Sequence, residues 1–159
     1  MSPSVGSALY REVDTGGATV DGHHIPAGCD VGTAIYSIHH NPEYFPYPFK
    51  YYPERWIVGP DASTKEAVER AHNAYTVFSL GARGCIGKGL AMMEMMSVLA
   101  TILYRFDLKI PDGPLGHLGE GHPAAEFGRH REDELQLNDQ VTAAKSGPVL
   151  QFRPRKIEA

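Results

Sequence analysis

The stretch Lys88–Tyr104 limits what this chain can fold into more than any other. Its centre, Leu90-Ala91-Met92-Met93-Glu94-Met95-Met96-Ser97-Val98-Leu99-Ala100-Thr101-Ile102-Leu103, is built of good helix formers. Wound as a helix, it carries apolar side chains on nearly every face. Such a helix belongs inside a core or a membrane. The run is shorter than the roughly 20 residues that span a bilayer, and Glu94 interrupts it. The expectation is therefore a long helix buried in a protein core. Its clustered methionines read as adaptable core filler rather than as a copper site, because sulfur-ligand metal sites are far rarer than apolar cores.

The remaining elements are short. Leu9–Val13 reads as a strand, and Thr19-Val20 with His23-His24-Ile25 as a hairpin about Asp21-Gly22, a pair that tolerates positive φ. Val31–Ser37 reads as a buried strand. Asn41–Trp56 carries Pro42, Pro46, Pro48 and Pro53 among many aromatics; the prolines forbid regular structure while the rings demand burial, so a packed, ordered loop is expected. Ser63-Thr64-Lys65-Glu66 fits a capping box ahead of a helix over Thr64–His72. After the long helix, Phe106–Ile110 reads as a strand and Pro111–Asp133 as an exposed loop. Leu135–Leu137 and Pro148–Phe152 are expected to pair as a closing hairpin within 134–153. The fold class is α+β, a single partial domain over 1–159, with a β-rich segment over 1–60 and the loop and long helix over 78–104.

Composition excludes several functions. Basic and acidic side chains number 15 and 19, for a net charge of −4, and no cationic block adjoins the aromatic residues, so no nucleic-acid partner is expected. Hydrophobic residues at 42% are ordinary for a globular chain, and the 17 glycines and 12 prolines make it loop-rich rather than disordered. Met1-Ser2-Pro3-Ser4 shows neither a basic n-region nor an apolar run, so no signal peptide is read there. Two cysteines, Cys29 and Cys85, make no disulfide scaffold and suit a reducing compartment.

Chemistry concentrates in Val77-Phe78-Ser79-Leu80-Gly81-Ala82-Arg83-Gly84-Cys85-Ile86-Gly87. Cys85 stands just ahead of the long helix, where free backbone N–H groups and the positive end of the dipole favour a thiolate. Gly81, Gly84 and Gly87 let the backbone turn sharply and approach a flat ligand. Arg83 has the geometry to pair with a carboxylate on that ligand, and Phe78 to cover the sulfur. A dry, single thiolate beside a cation suits haem iron. Taken alone, Cys85 reads more readily as a buried structural cysteine, the commoner fate of a free thiol.

The wider pattern resembles a known family. Phe78, Gly81, Arg83, Cys85 and Gly87 match F-x-x-G-x-R-x-C-x-G, the haem-binding loop of the cytochrome P-450 haem-thiolate monooxygenases. Leu90, Ala91 and Glu94 fall where the family has L-A-x-x-E. Pro53-Glu54-Arg55-Trp56 resembles its P-E-R-W segment, Ile38-His39-His40-Asn41-Pro42 its H-R-D-P-like stretch, and Gly22–Pro26 its G-x-x-I-P turn. Tyr47 departs from the usual Asp, and Cys29 from the usual Thr. The E-x-x-R string Glu126–Arg129 lies after Cys85 and is not the family's E-x-x-R, which would precede Arg11.

The resemblance implies the C-terminal third of the mainly α cytochrome P-450 fold, of fungal type. It implies haem b (iron protoporphyrin IX) with Cys85 as proximal iron ligand, Arg83 on a haem propionate, and Arg11 on another at a one-residue offset. Phe78, Gly81 and Gly87 complete the cofactor loop. Arg55 would be one of three members of a Glu-Arg-Arg triad, and His39 a neighbour of the haem or a packing residue. Substrate contacts would come from Val5–Ala8 and Val141–Ala144. The implied activity is insertion of one oxygen atom from O2 into a small hydrophobic substrate of fungal secondary metabolism, with electrons from an NADPH-dependent flavoprotein reductase. Full-length relatives are expected to be anchored in the endoplasmic reticulum membrane. The competing reading is a non-catalytic haem- or metal-binding remnant lacking the distal half of the pocket. In either reading a partial domain leaves the helix Lys88–Tyr104 with a large exposed apolar patch. Its zinc form would draw on the eight histidines, whose spacing does not suit a zinc site.

Overall fold

A computed structural model describes residues 3–140 and 142–156. The chain divides into two compact units, Met1–Val77 with Leu137–Ala144, and Phe78–Gln136 with Lys145–Ala159.

In the first unit, β1 (Arg11–Glu12) pairs antiparallel with β4 (Asp30–Val31), Arg11 lying opposite Val31. β2 (Ala18–Val20) and β3 (His23–Ile25) form the expected hairpin. Asp21 and Gly22 have φ of 53° and 79°, the paired positive values that match a two-residue turn to strand twist. The strand expected over Val31–Ser37 is not formed. β4 ends at Val31, and Ile35–His39 is a short helix, α1, with Ile35 and His39 buried. A short apolar run has no periodicity to separate strand from helix, and packing decides.

Asn41–Trp56 is the packed loop its composition implied. Asn41 Oδ1 accepts the Glu43 N–H at 2.9 Å, and Pro53–Trp56 forms a 3-10 turn. Helix α2 (Lys65–Ala74) follows, capped differently from the expectation: Thr64, not Ser63, is the N-cap, its hydroxyl accepting the Ala67 N–H at 3.2 Å. Val68 and Ala71 of α2 are buried with Val13, Ile35 and Phe45. Trp56 lies 6.0 Å from Phe45, 5.1 Å from His72 and 5.5 Å from Tyr75, ring centre to ring centre. These tilted and edge-on pairs form an aromatic cluster, the geometry that ring quadrupoles favour.

In the second unit, helix α3 (Lys88–Arg105) runs directly into β5 (Phe106–Lys109). β5 pairs antiparallel with β6 (Gln151–Pro154), setting Leu108 opposite Phe152. Phe106 and Phe152 meet edge-on at 5.7 Å, and Asp107 bridges Arg153 and Arg155, each at 2.8 Å. The expected closing hairpin over 134–153 is therefore not formed. Phe152 belongs to a strand paired with β5, while Leu135 bridges Glu120 instead. The long helix also departs from expectation: no residue of α3 is buried, and Leu90, Met93, Met96, Leu99 and Leu103 stand exposed. No helix among the described residues is long and apolar enough to cross a membrane.

Candidate functional site

The cysteine loop is shaped by backbone geometry. Ser79 and Gly81 take φ of 56° and 68°, in the left-handed region that a glycine enters without steric cost and other residues avoid. A 3-10 turn over Gly81–Arg83 follows, closed by the Gly84 N–H on the Gly81 carbonyl at 3.0 Å. A Cβ at Gly84 would stand 3.2 Å from that carbonyl, which favours glycine there. The Cys85 N–H then donates to the Phe78 carbonyl at 2.8 Å, so the first and eighth residues of the motif close on one another.

Beyond Cys85, the Lys88 N–H donates to the Cys85 carbonyl and the Ala91 N–H to the Gly87 carbonyl, which starts α3. Gly87 occupies the N-cap without a side chain to cap the helix. The Cys85 thiol is exposed rather than buried, and among the described residues nothing bonds to its sulfur. It stands at the N-terminal end of α3, whose first N–H groups have no partner within the helix. Among the described residues this thiol fills no core. Ile86 beside it is fully exposed. Lys88 Nζ lies 6.0 Å from the Phe78 ring centre. Arg83 is exposed, without an ion pair among the described residues.

The structure thus gathers Phe78, Gly81, Arg83, Cys85 and Gly87 in one loop. Arg11 belongs to the other unit, on β1, where its guanidinium donates to the Tyr10 carbonyl at 2.8 Å. Cys29 is exposed, and no group of three metal-ligating side chains occurs among the described residues. Of the expected substrate segments, Val141 lies outside the described residues.

Two residues of the first unit carry more than the sequence implied. Arg55, 2% exposed, donates to the carbonyls of Tyr52, Pro46, Tyr47 and Lys50 at 2.8–3.1 Å. Burial lowers its pKa, and the four carbonyl partners compensate for lost water. His39, 3% exposed, accepts the Thr76 N–H on Nε2 at 3.2 Å and stacks on Tyr75 with ring centres 5.6 Å apart. Burial, then the neighbouring His40, lowers its pKa to about 4, so its ring is neutral at ordinary pH. Sequence reasoning had not singled out Thr76. A backbone donor bonded 37 residues away leaves no mark in residue type.

A profile of the Cytochrome P-450 family matches residues 1–120. The chain belongs to the cytochrome P-450 family. Among its relatives, this cytochrome P-450 chain is 50% identical over 155 residues to a cytochrome P-450 monooxygenase of Gibberella zeae, covering 98% of the chain and 34% of that protein. It is 46% identical to the cytochrome P-450 monooxygenase AKT7 of Alternaria alternata, covering 96% of the chain and 30% of that protein. The chain spans about a third of the length of these relatives. Two crystal structures titled as the heme domain of cytochrome P-450DA, one of them a mutant, superpose with a TM-score of 0.68 at 23% and 22% identity. Each covers 97% of the chain and 29% of the solved protein, and the likeness shows a shared fold.

Proposed function

We propose that the chain is the C-terminal third of a fungal haem-thiolate monooxygenase and supplies its proximal iron ligand, Cys85. The observation that carries this reading is the exposed, unbonded Cys85 thiol at the start of α3, in a loop closed by the Cys85 N–H on the Phe78 carbonyl. The fit to haem is chemical. The donor is one soft sulfur with free helix N–H groups around it, and its loop is pared to glycine where a flat ring would approach.

In this assignment haem b, when bound, supplies the activation of O2, and thiolate ligation favours O–O cleavage. The chain's own residues hold and tune it. Cys85 supplies the sulfur ligand from the N-terminal end of α3. Gly81 and Gly87 keep side chains off the approach. Arg83 binds a propionate as a charge-assisted pair. The substrate is a small hydrophobic compound of secondary metabolism, and electrons come from an NADPH-dependent flavoprotein reductase. Relatives named as cytochrome P-450 monooxygenases in two fungi support the reaction class.

A second reading is a non-catalytic haem-binding module. One experiment separates the two. The chain is expressed with haem, reduced and exposed to carbon monoxide. A strongly red-shifted Soret band in the wild type, abolished by Cys85→Ser, supports thiolate ligation, and NADPH-driven turnover with a reductase then distinguishes enzyme from module. A colourless wild type under every reconstitution condition overturns haem binding by this chain.

A further inference from the structure

We propose that the β5–β6 ribbon carries a binding site for a phosphate monoester with an apolar substituent, built on Arg153, Arg155 and Lys156 beside Leu108 and Phe152. The site lies wholly within the second unit and is independent of the haem assignment. Alternation along the strands sorts its side chains. Asp107 stands opposite Arg153 and Leu108 opposite Phe152, so charge gathers on one face of the ribbon and apolar surface on the other.

The chain as a whole carries a charge of −4, yet Arg153, Arg155 and Lys156 meet a single carboxylate, Asp107, around a cleft of about 490 Å³. That carboxylate orders the two guanidiniums. Its Oδ2 accepts from Arg153 Nη2 at 2.8 Å and Nε at 3.3 Å, and its Oδ1 accepts from Arg155 Nε at 2.8 Å. The Arg155 N–H donates to the Arg105 carbonyl at 2.8 Å, which fixes the backbone just beyond β6. Among the described residues, Arg153 Nη1, both Nη atoms of Arg155 and Lys156 Nζ have no partner. Ordered guanidinium donors suit an oxyanion that offers several acceptor oxygens. A phosphate monoester brings three such oxygens and close to two negative charges, so it matches the local excess of cations better than a carboxylate.

The apolar substituent follows from the neighbouring surface. A second cleft of about 490 Å³ shares Asp107 and Arg153 with the first and is further lined by Leu108, Lys109, Gln151 and Phe152. Leu108 and Phe152 are exposed, so a group seated beside them removes apolar area from water. A phosphoryl group on the arginines with an apolar group on Phe152 uses both clefts at once. This chemistry is shared by a soluble phosphate ester and by the headgroup of a phosphatidic acid.

The test is equilibrium binding of phenyl phosphate to the full chain at neutral pH and low salt, with inorganic phosphate and phenol as the two halves of the probe. A second arm is co-sedimentation with phosphatidylcholine vesicles, with and without phosphatidic acid. Phenyl phosphate is expected to bind about tenfold more tightly than inorganic phosphate, the worth of a partly buried ring, and to weaken with added salt. Arg155→Met should weaken it about tenfold. Lys156→Gln leaves every hydrogen bond of the ribbon in place and should weaken it about threefold at an unchanged melting temperature. If Arg155→Met loosens the ribbon, Lys156→Gln decides alone. Phenyl phosphate binding without sedimentation assigns the site to a soluble ester. Sedimentation that requires phosphatidic acid and that Lys156→Gln weakens, without phenyl phosphate binding, assigns it to the lipid headgroup. Binding of neither overturns the proposal, as does binding that Lys156→Gln leaves unchanged, or phenol binding as tight as that of phenyl phosphate.

Discussion

The Cys85 N–H and the Phe78 carbonyl, 2.8 Å apart, join the two ends of the loop that presents the thiol, and the chain between them reverses through Gly81 at φ 68°. The space about Gly81 is open, so an added Cβ meets no neighbour. What it would meet is its own backbone. Gly81→Ala is expected to cost about 1–2 kcal/mol, the price of the left-handed conformation for an L-residue. Haem affinity should fall roughly tenfold, read by titration of the Soret band, while far-UV circular dichroism stays unchanged.

Arg55 organises the aromatic loop by donating to four carbonyls between Pro46 and Tyr52. Arg55→Met leaves those acceptors without their buried donor, at a cost of about 3 kcal/mol, since hydrogen bonds to charged groups are worth more than neutral ones. Urea unfolding measures the loss, and limited proteolysis should open the chain between residues 46 and 52 first. Arg55→Lys should recover little, because an ammonium cannot span the same fork.

The buried Thr76 hydroxyl offers the opposite case. Thr76→Val keeps the shape and the backbone N–H on His39 while removing an unsatisfied polar atom. Stability is expected to rise by about 1 kcal/mol, seen as a higher urea midpoint at constant slope.

His39 makes the fold acid-sensitive. Its folded pKa of about 4 lies below the ordinary 6.5, so the unfolded chain binds the extra proton first. Stability is then full above pH 6.5, declines between 6.5 and about 4, and flattens below, with a total on the order of 3 kcal/mol from this residue. Parallel urea titrations of wild type and His39→Gln across that window should converge as the pH falls.

Asp107 acts over a lower range. Hydrogen bonds from Arg153 and Arg155 hold its carboxyl below the ordinary carboxylate pKa. A lowered carboxylate pKa stabilises above the unfolded value and loses that contribution as pH falls through the folded one. The cluster is exposed, so the effect of Asp107→Asn on the melting temperature should be modest. It should shrink in high salt and vanish in strong acid.

Local features were legible in the residues. The Asp21-Gly22 turn follows from the positive φ that pair tolerates, the β5 strand from its alternating Phe106 and Leu108, and the loop over 41–56 from prolines that forbid regular structure among rings that need burial. The cysteine motif brought its five residues together because they are neighbours in sequence, joined through one short turn. Misreadings occurred where partners are distant. Phe152 lies opposite Leu108 rather than against Leu135–Leu137, since register is decided by matching faces rather than by proximity. The capping residue shifted by one position because both Ser63 and Thr64 have the required hydroxyl.

Residue order alone determined the family and the cysteine loop, through motifs whose spacing is carried by covalent geometry and whose chemistry is intrinsic to sulfur, glycine and arginine. Only the tertiary structure decided that Arg55 turns its donors to backbone carbonyls and that His39 meets Thr76. Burial and long-range hydrogen bonds depend on which surfaces meet in space, and no local pattern encodes that choice.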